Sequence, residues 1–140
     1  MKQNDYASYY DNIVVQVISG EAHLYTVREL CTGIIAQKVR CKHISLMIKG
    51  VLEAIGFKKV DDAPIFECVL SNQYTTIFIT YSIKPFNKEC KITSIDGGIL
   101  GAQYIAMLDD LQDFIRDKTS FEFNVNEKAL IKAIKEYQYR

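Results

Sequence analysis

Basic side chains are concentrated in one short stretch of this chain, and this stretch is the clearest candidate for binding chemistry. The sequence has 17 Lys and Arg against 17 Asp and Glu, so its formal net charge is zero. Between residues 34 and 60, however, one acidic residue, Glu53, faces a larger set of basic ones. These are Lys38, Arg40, Lys42, Lys49, Lys58 and Lys59. A local excess of cations beside an acidic remainder is typical of a surface that binds an anionic partner.

The cysteines and histidines offer a second kind of chemistry, but their spacing supports neither a metal site nor a nucleophile. Cys41 and His43 could supply two ligands, whereas tetrahedral zinc needs four, or three and a water. The other cysteines are scattered and form no C-x-x-C pair; they are Cys31, Cys68 and Cys90. We therefore expect four free thiols, no metal, no cofactor and no catalytic residue.

Two motifs in the second half of the chain resemble ligand sites but have simpler interpretations. Gly97-Gly98 follows a predicted strand and opens a predicted helix, where backbone amides can hold a phosphate. The turn lacks the lysine and the spacing of a P-loop, so a tight strand-to-helix turn is the simpler interpretation. A group of aspartates follows on the outer face of the predicted helix, where we expect solvation rather than cation binding. They are Asp109, Asp110, Asp113 and Asp117.

Two helices are predicted before the basic stretch. A first helix is expected to follow the N-cap candidates Asn4 and Asp5, because apolar residues recur at helical spacing over residues 6–18. Residues 13–18 are largely β-branched and also suit a strand, although the helix is favoured. A second helix is expected at Thr26-Val27-Arg28-Glu29, which has the form of a capping box.

A third helix and a hairpin are predicted to follow the basic stretch. The helix is expected from about residue 43 to residue 55, with Gly56 as its C-terminal stop. Two β-rich runs, residues 65–70 and 75–82, are separated by Ser-Asn-Gln-Tyr, which predicts a hairpin.

The rest of the chain predicts one more strand and two amphipathic helices. The strand is expected at residues 91–95, the first helix over residues 100–115, and Asn126 is expected to cap the last helix. The length and the near-average composition fit one domain spanning residues 1–140. The fold class expected is α+β, with helices packed on one side of a small antiparallel sheet.

Three helices followed by a hairpin resemble a winged helix-turn-helix module over roughly residues 5–82. The resemblance is carried by the sequence LYTVREL at residues 24–30, by residues 44–57 and by Lys58-Lys59. In that family the third helix enters the major groove of DNA, and loop and hairpin residues contact phosphates. The resemblance therefore implies a winged-helix-like N-terminal part that binds DNA.

The resemblance also implies which residues would contact DNA. Ser45 and Lys49 would lie on the outward face of the reading helix. Four further residues would approach the sugar–phosphate backbone, where cations release counterions. These are Lys38, Arg40, Lys42 and His43.

We therefore expect a small, non-enzymatic and regulatory nucleic-acid-binding protein whose partner is double-stranded DNA. Two alternatives stay open: a nucleotide or small-molecule site at Gly97-Gly98, and a module or inhibitor that binds another protein or a second copy. The second alternative would use a helix face and the tyrosines near the termini, Tyr6, Tyr9, Tyr10, Tyr137 and Tyr139. The N-terminus lacks a signal-peptide pattern and no apolar run is long enough to span a membrane. We expect a cytoplasmic protein without a membrane partner.

Overall fold

The computed structural model describes residues 1–10, 13–46, 48–84 and 87–138 and has the mixed α+β composition predicted from the sequence. Within these residues, nine strands form two antiparallel sheets and three helices accompany them. The two sheets follow each other along the chain. No helix of the described residues has the length and apolar composition needed to cross a lipid bilayer.

The first sheet closes on itself. Its strands, each antiparallel to the next, are β1 Tyr6–Tyr9, β2 Ile13–Glu21, β3 Leu24–Glu29 and β4 Ile35–Val39. After β4 the chain returns to β1, where Ser8 and Lys42 exchange backbone hydrogen bonds of 3.0 and 2.7 Å. We call β1–β4 and this return segment the closed sheet. Its interior is a small core of Ala7, Val15, Val17 and Val27.

The first two predicted helices are wrong, because β1, β2 and β3 lie where these helices were expected. The run at residues 13–18 lies in β2, where β-branched side chains pack well on a pleated surface. Thr26 and Glu29 do not form a capping box: both lie in β3, and Glu29 is paired with Val15. The order of three helices that carries the winged helix-turn-helix resemblance is therefore not found in the described residues.

The third predicted helix is shorter than expected. Helix α1 spans Lys49–Ala54, and Ser45, where the helix was expected, forms a β-bridge with Met107 instead. The predicted stop is confirmed: Gly56 has a φ of 104°, and its N–H donates to the Glu53 carbonyl oxygen at 3.1 Å. Glycine adopts this left-handed conformation without a steric penalty.

The second sheet has five consecutive antiparallel strands, β5 Lys58–Lys59, β6 Ile65–Ser71, β7 Thr76–Ser82, β8 Glu89–Ser94 and β9 Ile99–Tyr104. The predicted hairpin is confirmed as β6 and β7, and the predicted strand at residues 91–95 is confirmed as β8. Gly97-Gly98 joins β8 to β9, so the predicted strand-to-helix turn is wrong. Residues 100–104 form a strand instead of the start of a helix.

Two C-terminal helices, α2 Leu108–Lys118 and α3 Glu127–Gln138, complete the fold. The predicted cap of α3 is confirmed, since Asn126 Oδ1 accepts a hydrogen bond from the Ala129 N–H at 3.0 Å. Apolar residues of all three helices and of the five-stranded sheet form the main hydrophobic core. Tyr6 and Val14 of the closed sheet belong to the same core, so the two sheets are packed together through it.

Candidate functional site

The segment that closes the first sheet presents a row of cations to solvent. Val39 and Cys41 pack against the small core of the closed sheet, so the residues between and beside them point outward. Alternate residues of an extended strand point to the same side and lie about 6.8 Å apart. Arg40 and Lys42 are alternate residues, so their side chains point to the same side. We call Lys38, Arg40 and Lys42 the basic row; all three are exposed.

A β-bulge adds Lys38 to the row. The β3–β4 register shifts between the pairs Tyr25–Val39 and Val27–Ala36, which leaves one extra residue in β4. Lys38 lies in this bulge with a φ of 57°. Bulges change the direction of side chains and are frequent beside functional sites. The bulge leaves Lys38 exposed on β4, which pairs with β3 alone.

The basic row is free of salt bridges within the described residues. Lys38, Arg40 and Lys42 have no carboxylate within 4.0 Å there, whereas some other cations, such as Lys49 and Arg116, are paired. The Nζ atom of Lys49 lies 3.5 Å from Glu53, and Arg116 binds the buried Asp5. A cation without an internal partner keeps its charge available for an anionic ligand.

Two adjoining clefts lie beside the basic row and form one trough. A cleft of about 650 Å³ is lined by Met1, Ala22, His23, Leu24, Tyr25, Arg40, Cys41 and His43. A cleft of about 490 Å³ is lined by Ser19, Gly20, Glu21, Ala22, Leu24, Tyr25, Thr26 and Lys38. The clefts share Ala22, Leu24 and Tyr25, and among the described residues that line them Glu21 is the only one with a carboxylate. The trough is therefore predominantly basic.

A buried carboxylate orients the imidazole of His43 at one end of the trough. His43 Nδ1 lies 2.8 Å from Oδ1 and 2.9 Å from Oδ2 of Asp109. Asp109 is only 3% exposed, whereas the His43 side chain is 53% exposed. An ionised carboxylate only accepts hydrogen bonds, so Nδ1 carries a proton and Nε2 is left for a ligand. The ring can therefore hydrogen-bond an incoming group in a fixed orientation.

Asp109 is the site residue that the sequence did not reveal. It was predicted on a solvated helix face, and that prediction is wrong because the chain around Ile44 packs over the beginning of α2. There the Leu108 N–H donates to the Ile44 carbonyl oxygen at 2.8 Å. An acidic residue in the first turn of a helix is a local signal for the start of that helix, because its negative charge interacts favourably with the positive end of the helix dipole. That signal does not identify a histidine partner 66 residues away.

Cys41 lines the trough but is not placed to act as a nucleophile. Burial raises the pKa of the Cys41 thiol, so the reactive thiolate is disfavoured. Its side chain packs instead against the small core of the closed sheet. Within the described residues, no three His, Cys, Asp or Glu side chains are grouped as metal ligands.

The two remaining predicted site residues lie away from the trough. Ser45 is half-buried in the bridge to Met107 and precedes α1, so the prediction that it lies on the outward face of a helix is wrong. Lys49 begins α1 and lines a separate cleft with Tyr137 of α3. Helix α1 has six residues and buries Val51 on its inner side. Of the predicted site residues, Arg40 and His43 thus line one cleft of the trough and Lys38 lines the other, while Lys42 is exposed beside them.

The glycine turn differs from expectation, and the tyrosines near the termini differ from one another in exposure. Within the β8–β9 turn, the Asp96 carboxylate accepts a hydrogen bond from the Ser94 hydroxyl, which lowers the Asp96 pKa. No helix begins at this turn, so the phosphate-binding geometry considered from the sequence is absent there. Tyr6 is buried at 7% exposure, whereas Tyr10 and Tyr137 are 73% and 63% exposed. Tyr139 lies outside the described residues.

No family model, curated protein or solved structure matches the chain. The basic row, the trough and the oriented imidazole are therefore the features from which a function can be inferred.

Proposed function

We propose that this chain is a non-enzymatic protein that binds nucleic acid through phosphate contacts in and beside the basic trough. The basic row carries the proposal, because three exposed cations lie along one segment without salt bridges in the described residues. Lysine and arginine side chains that neutralise phosphates release condensed counterions, and this release drives binding that is independent of sequence. The protein would act as a regulator by occupying the nucleic acid to which it binds.

His43 adds a directional contact to this electrostatic attraction. Its Nε2 is available to hydrogen-bond a phosphate oxygen when the ring is protonated, and Asp109 then neutralises the imidazolium from behind. Ordering the His43 ring on binding costs little free energy, because the Asp109 carboxylate already fixes the orientation of the ring. Major-groove reading by α1 is not part of the proposal, since that helix is short and packs against α3.

A triple substitution tests the proposal. Lys38→Ala, Arg40→Ala and Lys42→Ala together should weaken binding to a labelled duplex. The log–log dependence of affinity on salt should flatten by about 0.9 for each phosphate that is no longer neutralised. Fluorescence anisotropy at several salt concentrations measures both effects.

The matched control removes the same charge elsewhere. Lys58, Lys59 and Lys84 are also exposed, and they lie in β5 and after β7. Their combined replacement by alanine should change affinity much less than replacement of the basic row. Equal losses of affinity would show that net charge alone matters, and no binding at low salt would refute the nucleic-acid proposal.

A cytoplasmic location is also proposed. All four cysteines are free, as predicted, which suits a reducing compartment. Binding to another protein or to a second copy stays a prediction.

A further inference from the structure

An exposed aromatic ring lies beside the basic row. Tyr10 is 73% exposed, and its ring centroid lies 4.7 Å from that of Tyr9 with the planes tilted by 43°. Tyr9 in turn packs against the small core of the closed sheet, as Cys41 does. The Tyr10 ring is therefore supported from one side and open to solvent on the other.

The bridge that closes the sheet determines where Tyr10 lies relative to the cations. Ser8 pairs with Lys42 in antiparallel orientation. Tyr10 follows Ser8 by two residues, just after β1 ends, so its backbone lies close to the segment that carries Lys42. The chain turns at Tyr10, which has a φ of 52°. The ring is thus at the rim of the surface that bears the basic row.

We propose that this surface binds a single strand of nucleic acid, with its phosphates along the basic row and one base stacked on Tyr10. The inference rests on the proposed function and specifies its ligand. A cationic track beside an exposed aromatic ring is the arrangement that binds unpaired strands, because every base has a face that can stack. In a duplex the bases are stacked on one another, so the Tyr10 ring gains no base contact.

The shape of the surface favours the same ligand. The basic row follows one continuous segment of the chain, which matches one sugar–phosphate backbone. Groove reading of a duplex uses a protruding helix or β-ribbon, whereas the described residues around the trough belong to a closed sheet and its turns.

Substitution of Tyr10 tests the inference. We expect the unmodified protein to bind a labelled single-stranded oligonucleotide more tightly than a duplex of equal length at the same salt concentration. Tyr10→Ala should weaken single-strand binding about 5-fold or more because stacking is removed, and leave duplex binding unchanged. Tyr10→Phe should keep the affinity, because the ring remains. Tyr74→Ala is the matched control, since Tyr74 is 85% exposed in the β6–β7 turn.

The outcomes separate this inference from the proposed function. If the basic-row variant loses binding while Tyr10→Ala binds the single strand as tightly as the unmodified protein, nucleic-acid binding stands and the stacking inference is overturned. Equal or tighter binding of the duplex by the unmodified protein also overturns it, without reference to any variant. Absence of all binding in the unmodified protein would remove the proposed function itself.

Discussion

At the scale of single residues, the His43–Asp109 pair shows how a distant contact decides the role of a side chain. Asp109 is followed directly by another aspartate, Asp110, and the sequence offers no reason to bury one and expose the other. The fold does so by packing the segment around Ile44 over the beginning of α2. The cations of the site could be predicted from composition, whereas the residue that orients His43 could not.

The four thiols should differ in reactivity because they differ in burial. Cys31 is exposed and Cys41 half-buried, whereas burial raises the pKa of Cys68 to about 11 and that of Cys90 to about 12. The thiolate is the species that reacts. Iodoacetamide at pH 8 should therefore modify Cys31 first and Cys41 more slowly. Cys68 and Cys90 should react only after unfolding.

Intact mass spectrometry over time measures this order, and denatured protein should gain four adducts. Rapid modification of Cys68 or Cys90 in the folded protein would contradict it. The same pKa values set a pH dependence, because both lie above the value of about 8.5 for a free thiol. Their contribution to stability is full below about pH 8.5 and is lost as the pH rises through 11 and 12.

At the scale of elements, the cap of α3 gives a quantitative prediction. Asn126→Ala removes the side-chain acceptor for the Ala129 N–H and should lower the free energy of unfolding by about 1 kcal/mol. Asn124→Ala is the matched control, since Asn124 is exposed and precedes the helix; it should change stability by less than about 0.5 kcal/mol. Urea unfolding curves measure both. Equal effects would show that the hydrogen bond does not stabilise α3.

The contrast between the two sheets explains which elements could be predicted. In β6, Phe66 and Cys68 are buried while Glu67 and Val69 are exposed, so one face is apolar and the alternation of a strand is visible. In β2, Val14 and Val15 are both buried: Val14 faces the main core and Val15 the interior of the closed sheet. A strand buried on both faces loses its alternation and resembles a buried helix in sequence.

The same contrast applies to the helices. Gly56 and Asn126 are local signals, and each lies at the helix end where it was predicted. The apparent capping box at Thr26 has the same kind of local pattern, yet pairing with β2 overrides it. Local propensity is decisive where tertiary pairing agrees with it, and it is outweighed where a neighbouring strand supplies the backbone hydrogen bonds.

At the scale of the whole molecule, a polar network joins the closed sheet to α2 and α3. Asp5 is fully buried and binds Arg116, while Gln112 accepts a hydrogen bond from the Tyr6 N–H at 3.0 Å. The Tyr6 hydroxyl donates to Glu127 at 2.9 Å. Burial raises the pKa of Asp5, and the hydrogen bonds to its carboxylate oppose that rise. Breaking such a buried pair is costly, because one charge is left without a partner.

This network and the shared core predict that the two sheets unfold together. Far-UV circular dichroism, which follows the backbone, and near-UV circular dichroism, which follows tyrosine packing, should give coincident urea transitions. Asp5→Asn should move both midpoints to lower urea by the same amount. Two separate transitions, or a shift of only one, would show that the closed sheet is an independent unit, contrary to the single domain expected from the sequence.

The contact between Tyr6 and Glu127 also has a consequence for biosynthesis, because its partners are 121 residues apart in the chain. A ribosome that adds about 5 to 20 residues per second needs roughly 6 to 24 s to travel from one to the other. For most of that interval the outer faces of the nascent strands β1 and β2 lack the two C-terminal helices that pack against them. Val14 and Asp5 remain in water until α2 and α3 emerge, so the newly made N-terminal segment exposes apolar and ionisable side chains that the finished fold buries.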